Sequence, residues 1–364
     1  MTAWRSASGW SRSFTRCGNF YGCRQWAEPA SRQAERMRGM RALVTGAGGF
    51  IGSHLTESLV RAGWDVRALV RYSSHDQIGA LAHAEPDLVA AVEVLAGDLR
   101  DDGSVRHAVQ GCDVVLHLGA VISIPYSYQA PREVVETNVI GTLNVLSAAR
   151  DFGVSRIVHT STSEVYGSAR AERIAEDHVL QAQSPYSASK IGADKLAEAF
   201  HRSYDVPVVT LRPFNTYGPR QSPRAVIPTI LTAALAHRPI KLGSLSPTRD
   251  FTFVTDTADA FLRAATADGV VGETLHLGVG VEVSIGDVVS LVGEMLGRNL
   301  ETEVDEQRLR PPDSEVMRLR SDPSRARERL GWVPAVSLSD GLRRTADWLA
   351  AGGAEWFRLP DYAT

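Results

Sequence analysis

The sequence is poor in several features that would assign a function class outright. It holds three cysteines in 364 residues, Cys17, Cys23 and Cys112. That is too few for a disulfide scaffold, and without companion Cys/His clusters it is no zinc set, so no metal is expected. A reducing cytoplasm is the expected compartment. No stretch approaches the roughly 18 uncharged apolar residues of a spanning helix. A basic surplus is missing too: the net charge is −3 and the isoelectric point is near 6.4, which argues against a nucleic-acid partner. Apolar residues make up 44% and charged residues 22%, so global disorder is excluded. The length suits one large α/β unit, or two lobes sharing a cleft.

Residues 1–39 stand apart. They carry seven Arg against two Glu, three of the seven Trp and two of the three Cys, for a net charge of +5; the remainder carries −8. They show no hydrophobic periodicity and no apolar core of a secretory signal. The Arg- and Ser-rich composition mimics an organellar transit peptide, but Met40 directly precedes a clean strand pattern. The expectation is a disordered, dispensable extension over 1–39 and a frayed tail over 351–364.

From residue 41 onward, short apolar runs alternate with helical patterns. Strands are expected at 41–45, 65–70, 92–95, 113–118, 156–160 and 207–211, with helices at 50–61, 132–150 and 185–203. This alternation predicts an α/β fold with a doubly wound parallel sheet. After Arg212 the pattern breaks up among Pro213, Pro219, Pro223, Pro228, Pro239 and Pro247. The expected division is a dinucleotide-binding domain over 40–212 and a smaller C-terminal substrate lobe, mainly 213–350.

Between the first strand and first helix lies Thr45-Gly46-Ala47-Gly48-Gly49-Phe50-Ile51-Gly52. Gly46 permits the tight turn, Gly49 lets the backbone approach a pyrophosphate, and Gly52 lets the helix pack on the strand. The helix N-terminus then offers N–H donors to phosphate. At the end of the second strand an acid would select NAD, while an arginine accommodates the 2′-phosphate of NADP. Arg71 stands there, which tilts the expectation toward NADP. Asp98, past the third strand, reads as the adenine rim or as a helix N-cap.

Tyr186-Ser187-Ala188-Ser189-Lys190 places Tyr and Lys one helical turn apart on one face. A phenol is a poor base at neutral pH, so an ammonium and a positively charged nicotinamide nearby are expected to lower its pKa. The fifth strand ends in His159-Thr160-Ser161-Thr162-Ser163-Glu164-Val165-Tyr166-Gly167, with hydroxyls at the end that faces the cleft.

Together these motifs resemble the extended short-chain dehydrogenase/reductases, the NAD-dependent epimerase/dehydratase family with its Rossmann-like fold. The resemblance spans residues 40–350 and includes His117-Leu118-Gly119-Ala120, Asn138-Val139-Ile140-Gly141-Thr142, residues 212–220, and Arg249-Asp250-Phe251 with Asp256. It implies NAD or NADP held by Gly46, Gly49, Phe50, Ile51, Gly52, Arg71, Asp98, Leu99, Leu118, Ala120, Tyr186 and Lys190. It implies Thr162, Glu164, Tyr186 and Lys190 as the catalytic set, and Ser163, Asn215, Arg249 and Arg310 as substrate contacts. It also implies a nucleotide-sugar substrate and a homodimer formed through helices 132–150 and 185–203.

The members of such a family all begin by oxidising the sugar at C4. A 4-epimerase then needs no further acid or base. A 4,6-dehydratase must remove the C5 proton and expel the 6-hydroxyl, and Glu164 could supply that proton transfer. Thr162-Ser163-Glu164 resembles the Thr-Ser-Glu of GDP-mannose 4,6-dehydratases. It departs from the Thr-Asp-Glu of dTDP-glucose 4,6-dehydratases, so Ser163 cannot serve as their acid; Tyr186 or Glu164 would have to be re-used. The whole-chain wording is closest to dehydratases of the legionaminic-acid type, which act on nucleotide-linked N-acetylglucosamine. The expected function is therefore an NAD(P)-dependent nucleotide-sugar 4,6-dehydratase on a UDP- or GDP-linked hexose. A 4-epimerase and a UDP-glucuronate decarboxylase are the alternatives. The latter needs an arginine at the sugar carboxylate, for which Arg318, Arg320 and Arg325 are available.

Overall fold

The structure, a computed structural model, describes residues 39–72, 77–309 and 311–353. Residues 1–38 of the extension, Arg310 and residues 354–364 lie outside that description.

The first half follows the sequence pattern closely. β1 (Arg41–Thr45), α1 (Phe50–Arg61), β2 (Asp65–Arg71), β3 (Val92–Gly97), α2 (Asp102–Val109), β4 (Val114–His117), α3 (Gly141–Phe152), β5 (Arg156–Thr160), α4 (Pro185–Tyr204) and β6 (Val208–Pro213) alternate along the chain. β4 is two residues shorter than expected, and the helix expected at 132–150 is broken in type. It runs as an α-turn over Pro131–Val135, a π-turn over Glu136–Ile140, and then α3. α4 starts on a capping box between Ser184 and Ser187, with Pro185 in its first turn, a strong start signal.

The second half is woven from smaller pieces. β7 (Asn215–Tyr217), α5 (Val226–Leu235), β8 (Ile240–Leu242), β9 (Thr248–Arg249), β10 (Phe251–Phe253) and α6 (Val254–Thr266) lead to β11 (Thr274–Leu277). β12 (Val283–Ser284), α7 (Ile285–Leu296), β13 (Thr302–Val304) and α8 (Leu338–Ala350) follow. β11 returns to the main sheet beside β6, giving the order β11-β6-β5-β4-β1-β2-β3, parallel throughout. The sequence expectation had six strands here. β11 escaped it because Thr-Leu-His-Leu is short and interrupted by His276.

Helices cover both faces. Val44, Leu55, Leu59, Val66, Phe261 and Trp332 pack one face; Leu43, Val115, Leu146, Ile157 and Val208 pack the other. A separate core of Tyr217, Ile230, Leu231, Phe253, Val288 and Leu342 holds the lobe. The strand order reverses between β4 and β1, where open α/β sheets place their ligands.

Lobe and sheet are joined by a buried fork. Arg220 donates to both Glu57 oxygens, at 2.9 and 3.1 Å. Burial works to raise the Glu57 carboxyl, yet the bonds and charge of Arg220 bring it below its ordinary value. Arg220→Ala strands a buried carboxylate, so a loss of about 3–5 kcal/mol is expected. A urea midpoint unchanged from the parent would show that the fork contributes little.

Candidate functional site

The glycine loop is shaped by contacts as much as by its own turn. Gly46 adopts φ +72°, and a Cβ there would lie 2.8 Å from the Gly119 backbone. A Cβ on Gly52 would meet the Gly46 carbonyl oxygen at 2.2 Å, so this glycine sets the close approach of α1 to the loop. Two glycines outside the motif complete the wall. Gly79, at φ +63°, packs on the Gly48 carbonyl, and Gly119 abuts Leu99. Gly49 is the N-cap residue of α1 and supplies no side chain. The first-turn amides are therefore left to an anion. This loop, packed so closely that a Cβ at Gly46, Gly52 or Gly79 would collide with neighbouring backbone, leaves an amide-lined turn, a cradle that fits a dinucleotide pyrophosphate.

The other sequence-expected cofactor residues surround that cradle. Phe50 and Ile51 pack against the lobe core, linking the phosphate loop to the substrate side. Leu118 N–H donates to the Thr45 carbonyl at 3.2 Å, and partly buried Ala120 lies two residues beyond. The Leu99 carbonyl accepts from Asn144 Nδ2 at 2.9 Å. Arg71 is exposed at the end of β2, in register with Gly97. Asp98 is chelated by the Arg100 guanidinium, with Nε 3.0 Å from each oxygen. That hydrogen bonding holds its carboxyl below its ordinary value, and Arg71 adds to the effect. Asp98 is not the helix N-cap: Asp101 caps α2, accepting from Ser104 N–H at 2.8 Å.

Beneath the cradle, buried His117 bridges the Thr45 and Thr142 hydroxyls at 2.8 and 3.0 Å. The π-turn sets Asn138 so that its amide bonds both the Val121 backbone, at 2.7 and 2.9 Å, and Ser189 Oγ, at 2.9 Å. Asn138 thus ties the loop after β4 to the Tyr–Lys helix. Asn138 lies in a segment that carries the family resemblance, but its task shows only in the fold, because a π-turn leaves no composition signal.

The structure brings Thr162, Glu164, Tyr186 and Lys190 together. Thr162 caps a short 3₁₀ turn, Ser163–Tyr166, accepting the Glu164 N–H at 3.3 Å. Its side chain also hydrogen-bonds Tyr186. Ser163 is buried in that turn, and Glu164 is half-buried, near enough for its charge to act on Tyr186. Lys190, buried, donates from Nζ to the Thr160 carbonyl at 2.6 Å. Burial lowers its pKa to about 8, against the opposing charge of Asp194.

The protein's own groups act on Tyr186 in the other direction. In the protein itself burial dominates the Tyr186 phenol and pushes it above its ordinary value; Glu164 and Asp194 add to the rise and the Thr162 bond opposes it. The lowered phenol expected from sequence needs a positive charge beyond what the chain provides.

On the substrate side, Asn215 sits at the start of β7 with Oδ1 buried and without a hydrogen-bond partner, an acceptor aimed at a donor the protein does not provide. Arg249 is buried, bonding the Thr248 carbonyl at 2.9 Å and Glu315 at 3.3 Å. Asp250 fixes this segment by accepting from the amides of Val279, Gly280 and Ser321 and from Ser321 Oγ. The stretch after Arg310 closes over the start of α4: Ser314 Oγ donates to the Gln183 carbonyl at 2.5 Å and meets Tyr128 Oη at 2.5 Å. Arg318 is forked onto Glu282, Arg320 bonds Glu172 at 2.9 Å, and Arg325 lies 3.8 Å from Glu176. Among the described residues no cluster suited to a metal ion occurs, and no helix is long and apolar enough to cross a membrane.

A Rossmann-like sheet with a glycine cradle and a Thr–Tyr–Lys constellation at its carboxyl edge defines a nicotinamide-dependent enzyme. The chain belongs to the GDP-mannose 4,6 dehydratase family, whose sequence model matches residues 43–345, among the NAD-dependent nucleotide-sugar dehydratases and epimerases. It is 35% identical over 316 residues to a UDP-glucose 4-epimerase of Mycolicibacterium smegmatis, covering 85% of this chain and 98% of that one. It is 33% identical over 329 residues to a dTDP-glucose 4,6-dehydratase of Xanthomonas campestris, covering 84% and 92%. The fold matches a variant UDP-glucuronic acid 4-epimerase from Bacillus cereus in complex with UDP-4-deoxy-4-fluoro-glucuronic acid and NAD. That match has a TM-score of 0.79 and 28% identity, covering 86% of this chain and 99% of the other. The glycine cradle accommodates the NAD or NADP on which such enzymes depend.

Proposed function

We propose that this protein is a nucleotide-sugar 4,6-dehydratase acting on a UDP- or GDP-linked hexose, with N-acetylglucosamine as the sugar. The carrying observation is the half-buried carboxylate of Glu164, on the turn that begins at Thr162 and within electrostatic reach of Tyr186. A plain 4-epimerase has no use for that third proton-transfer group.

In this reading the lobe holds the nucleotide sugar. Asn215 Oδ1 accepts from the sugar or its phosphate end, and Arg249, together with Arg310, pairs with the diphosphate. Ser163 lies against the sugar. Thr162 and Tyr186 hold the 4-hydroxyl between them, and Tyr186 takes its proton. A bound oxidised nicotinamide would supply the hydride acceptor for C4 and the positive charge that favours the Tyr186 phenolate. Lys190 supports the ribose end. The 4-keto sugar has an acidic C5–H, and Glu164 removes that proton. Glu164 is then itself an acid, able to protonate the departing 6-hydroxyl. The balance closes only if the hydride taken from C4 would return to C6 while a proton from solvent, delivered by Glu164, would go to C5, leaving a 4-keto, 6-deoxy sugar and the cofactor oxidised again. This re-use fits a chain with Ser163 where another class has an aspartic acid.

The second reading, a 4-epimerase, is favoured by the M. smegmatis relative. The decarboxylase reading keeps Arg318, Arg320 and Arg325 as candidates for the sugar carboxylate, each of which pairs with a carboxylate of the chain. Incubation with UDP- and GDP-N-acetylglucosamine followed by mass spectrometry separates the readings. Loss of water supports the dehydratase. An isomer of unchanged mass supports the epimerase, and loss of carbon dioxide from UDP-glucuronate supports the decarboxylase.

Two further features belong to this reading. In this reading Arg71, exposed at the end of β2, meets the ribose 2′-phosphate of NADP, so Arg71→Asp should shift the ratio of NADP to NAD affinity toward NAD. An unchanged ratio in cofactor titrations would show that Arg71 does not meet the ribose. The enzyme works in the cytoplasm as a homodimer through the helices of residues 131–152 and α4, which leave Val135, Ile140 and Tyr204 exposed; light scattering giving a monomer mass would refute the dimer.

A further inference from the structure

We propose that Asp194 is the positioning residue behind the catalytic helix: it clamps the end of β5 against α4 and supplies the negative charge that supports the Lys190 ammonium. The argument begins with strand alternation. Successive side chains along β5 and its extended continuation point to opposite sides. His159 and Ser161 face α4, and both bond the Asp194 carboxylate, His159 Nε2 at 3.0 Å and Ser161 Oγ at 2.6 Å. Between and beyond them lie the two residues the chemistry uses. The Thr160 carbonyl receives Lys190 Nζ, and Thr162 meets Tyr186. One carboxylate therefore grips the strand on both sides of the Lys190 acceptor. Asp194 follows Lys190 by one helical turn and Tyr186 by two, so the three share one face of α4.

The clamp is itself held in place. Arg212 on β6 approaches Asp194 at 2.9 Å through Nη2 and 3.2 Å through Nε. Arg212 also bonds the Tyr166 hydroxyl at 2.5 Å, and that hydroxyl meets His276 Nε2 at 2.5 Å. His117 on β4 stacks on His159 with ring centroids 5.9 Å apart. Asp194 and Arg212 line a cavity of about 410 Å³ together with Glu176, Glu198, His201 and Arg325. Burial opposes ionisation of Asp194, but the His159 bond, Arg212 and Ser161 hold its pKa at about 2. The residue is therefore a permanent anion at any working pH. Lys190 is buried, and the charge of Asp194 is what offsets that burial.

The proposal rests on Tyr186 and Lys190 being the proton-transfer pair, but its test needs no substrate. The whole chain contains three lysines, Lys190, Lys195 and Lys241. Labelling the lysine ε-carbons of the full-length protein therefore gives three NMR signals, with exposed Lys195 and Lys241 as internal references. The Lys190 signal of the parent should titrate near pH 8. Asp194→Asn should weaken proton binding at Lys190 by about tenfold or more, and Asp194→Glu should restore most of it. Ser161→Ala, which keeps the charge and drops one bond, should leave the titration close to the parent's. Should Asp194→Asn fail to fold because Arg212 is stranded, the double variant with Arg212→Gln removes that stranded guanidinium and should still show a fall at Lys190. A Lys190 titration unmoved in these variants would overturn the proposal, as would an equal shift in Ser161→Ala. A shifted Lys190 in an enzyme whose product keeps its water would instead sink the dehydratase reading and leave this one standing.

Discussion

Tyr186→Phe is expected to abolish oxidation at the sugar C4, whereas Glu164→Gln should oxidise C4 and then stall before water is lost. The two side chains lie close enough for the Glu164 charge to act on the Tyr186 phenol, but in the proposed reaction they serve successive steps. Without the Tyr186 hydroxyl no group takes the 4-hydroxyl proton, so mixing enzyme and substrate should give no reduced-nicotinamide absorbance. Without the Glu164 carboxylate the first step survives and the second loses its base. That absorbance should then build up with substrate bound, and dehydration should fall by about 10²–10⁴-fold, the usual contribution of a positioned general base. Stopped-flow absorbance paired with product analysis reads both halves. A Glu164→Gln enzyme that dehydrates at nearly the parent rate would make Glu164 structural and remove the main support for a dehydratase.

The second large effect is on stability in mild acid. Three buried histidines and the partly buried His54 are held neutral. Burial, helped by Arg220, lowers His54 to about 4; burial, helped by Arg212, lowers His276 to about 3. Burial also drives His117 well down, and it lowers His159 despite the bond to Asp194. In the unfolded chain each would take a proton near pH 6.5. Between the unfolded and folded values the unfolded state binds more protons, so stability falls with pH. It is fully present above about pH 6.5 and drains away toward the folded pKa values, at about 1 kcal/mol per pH unit for each histidine. Glu176, Asp250 and Asp256, whose burial raises their carboxyls, offset part of the loss at the acid end. Urea midpoints from pH 7 to pH 4.5 should therefore drop by several kcal/mol equivalent, and His54→Gln should flatten the curve. A midpoint independent of pH across that range would contradict the burial of these rings as neutral groups.

Much of the fold could be read in advance because parallel strands are continuous apolar runs and their punctuation is local. Arg41–Thr45, Phe50–Arg61 and Arg156–Thr160 end at the residues where glycine, strand polarity or hydroxyl clusters said they would. The glycine motif and the Tyr–Lys spacing are local as well. What stayed hidden depends on distant partners. β11 is recruited by β6 across roughly sixty residues. Gly79 and Gly119 matter because of the chain segments that approach them. Asp194 reads in sequence as one more acid on a helix face, until the fold sets His159, Ser161 and Arg212 around it. The burial of the Tyr186 phenol is hidden for a related reason: the spacing to Lys190 shows a nearby cation but not how deeply the fold sets the ring.

The most direct measurement is to run the reaction with UDP- and GDP-N-acetylglucosamine in deuterated water and to examine the product by mass spectrometry and NMR. The account predicts a 4-keto, 6-deoxy product lighter by one water and carrying solvent deuterium at C5, the position Glu164 deprotonates. A product of unchanged mass, epimerised at C4 with no deuterium at C5, would contradict it.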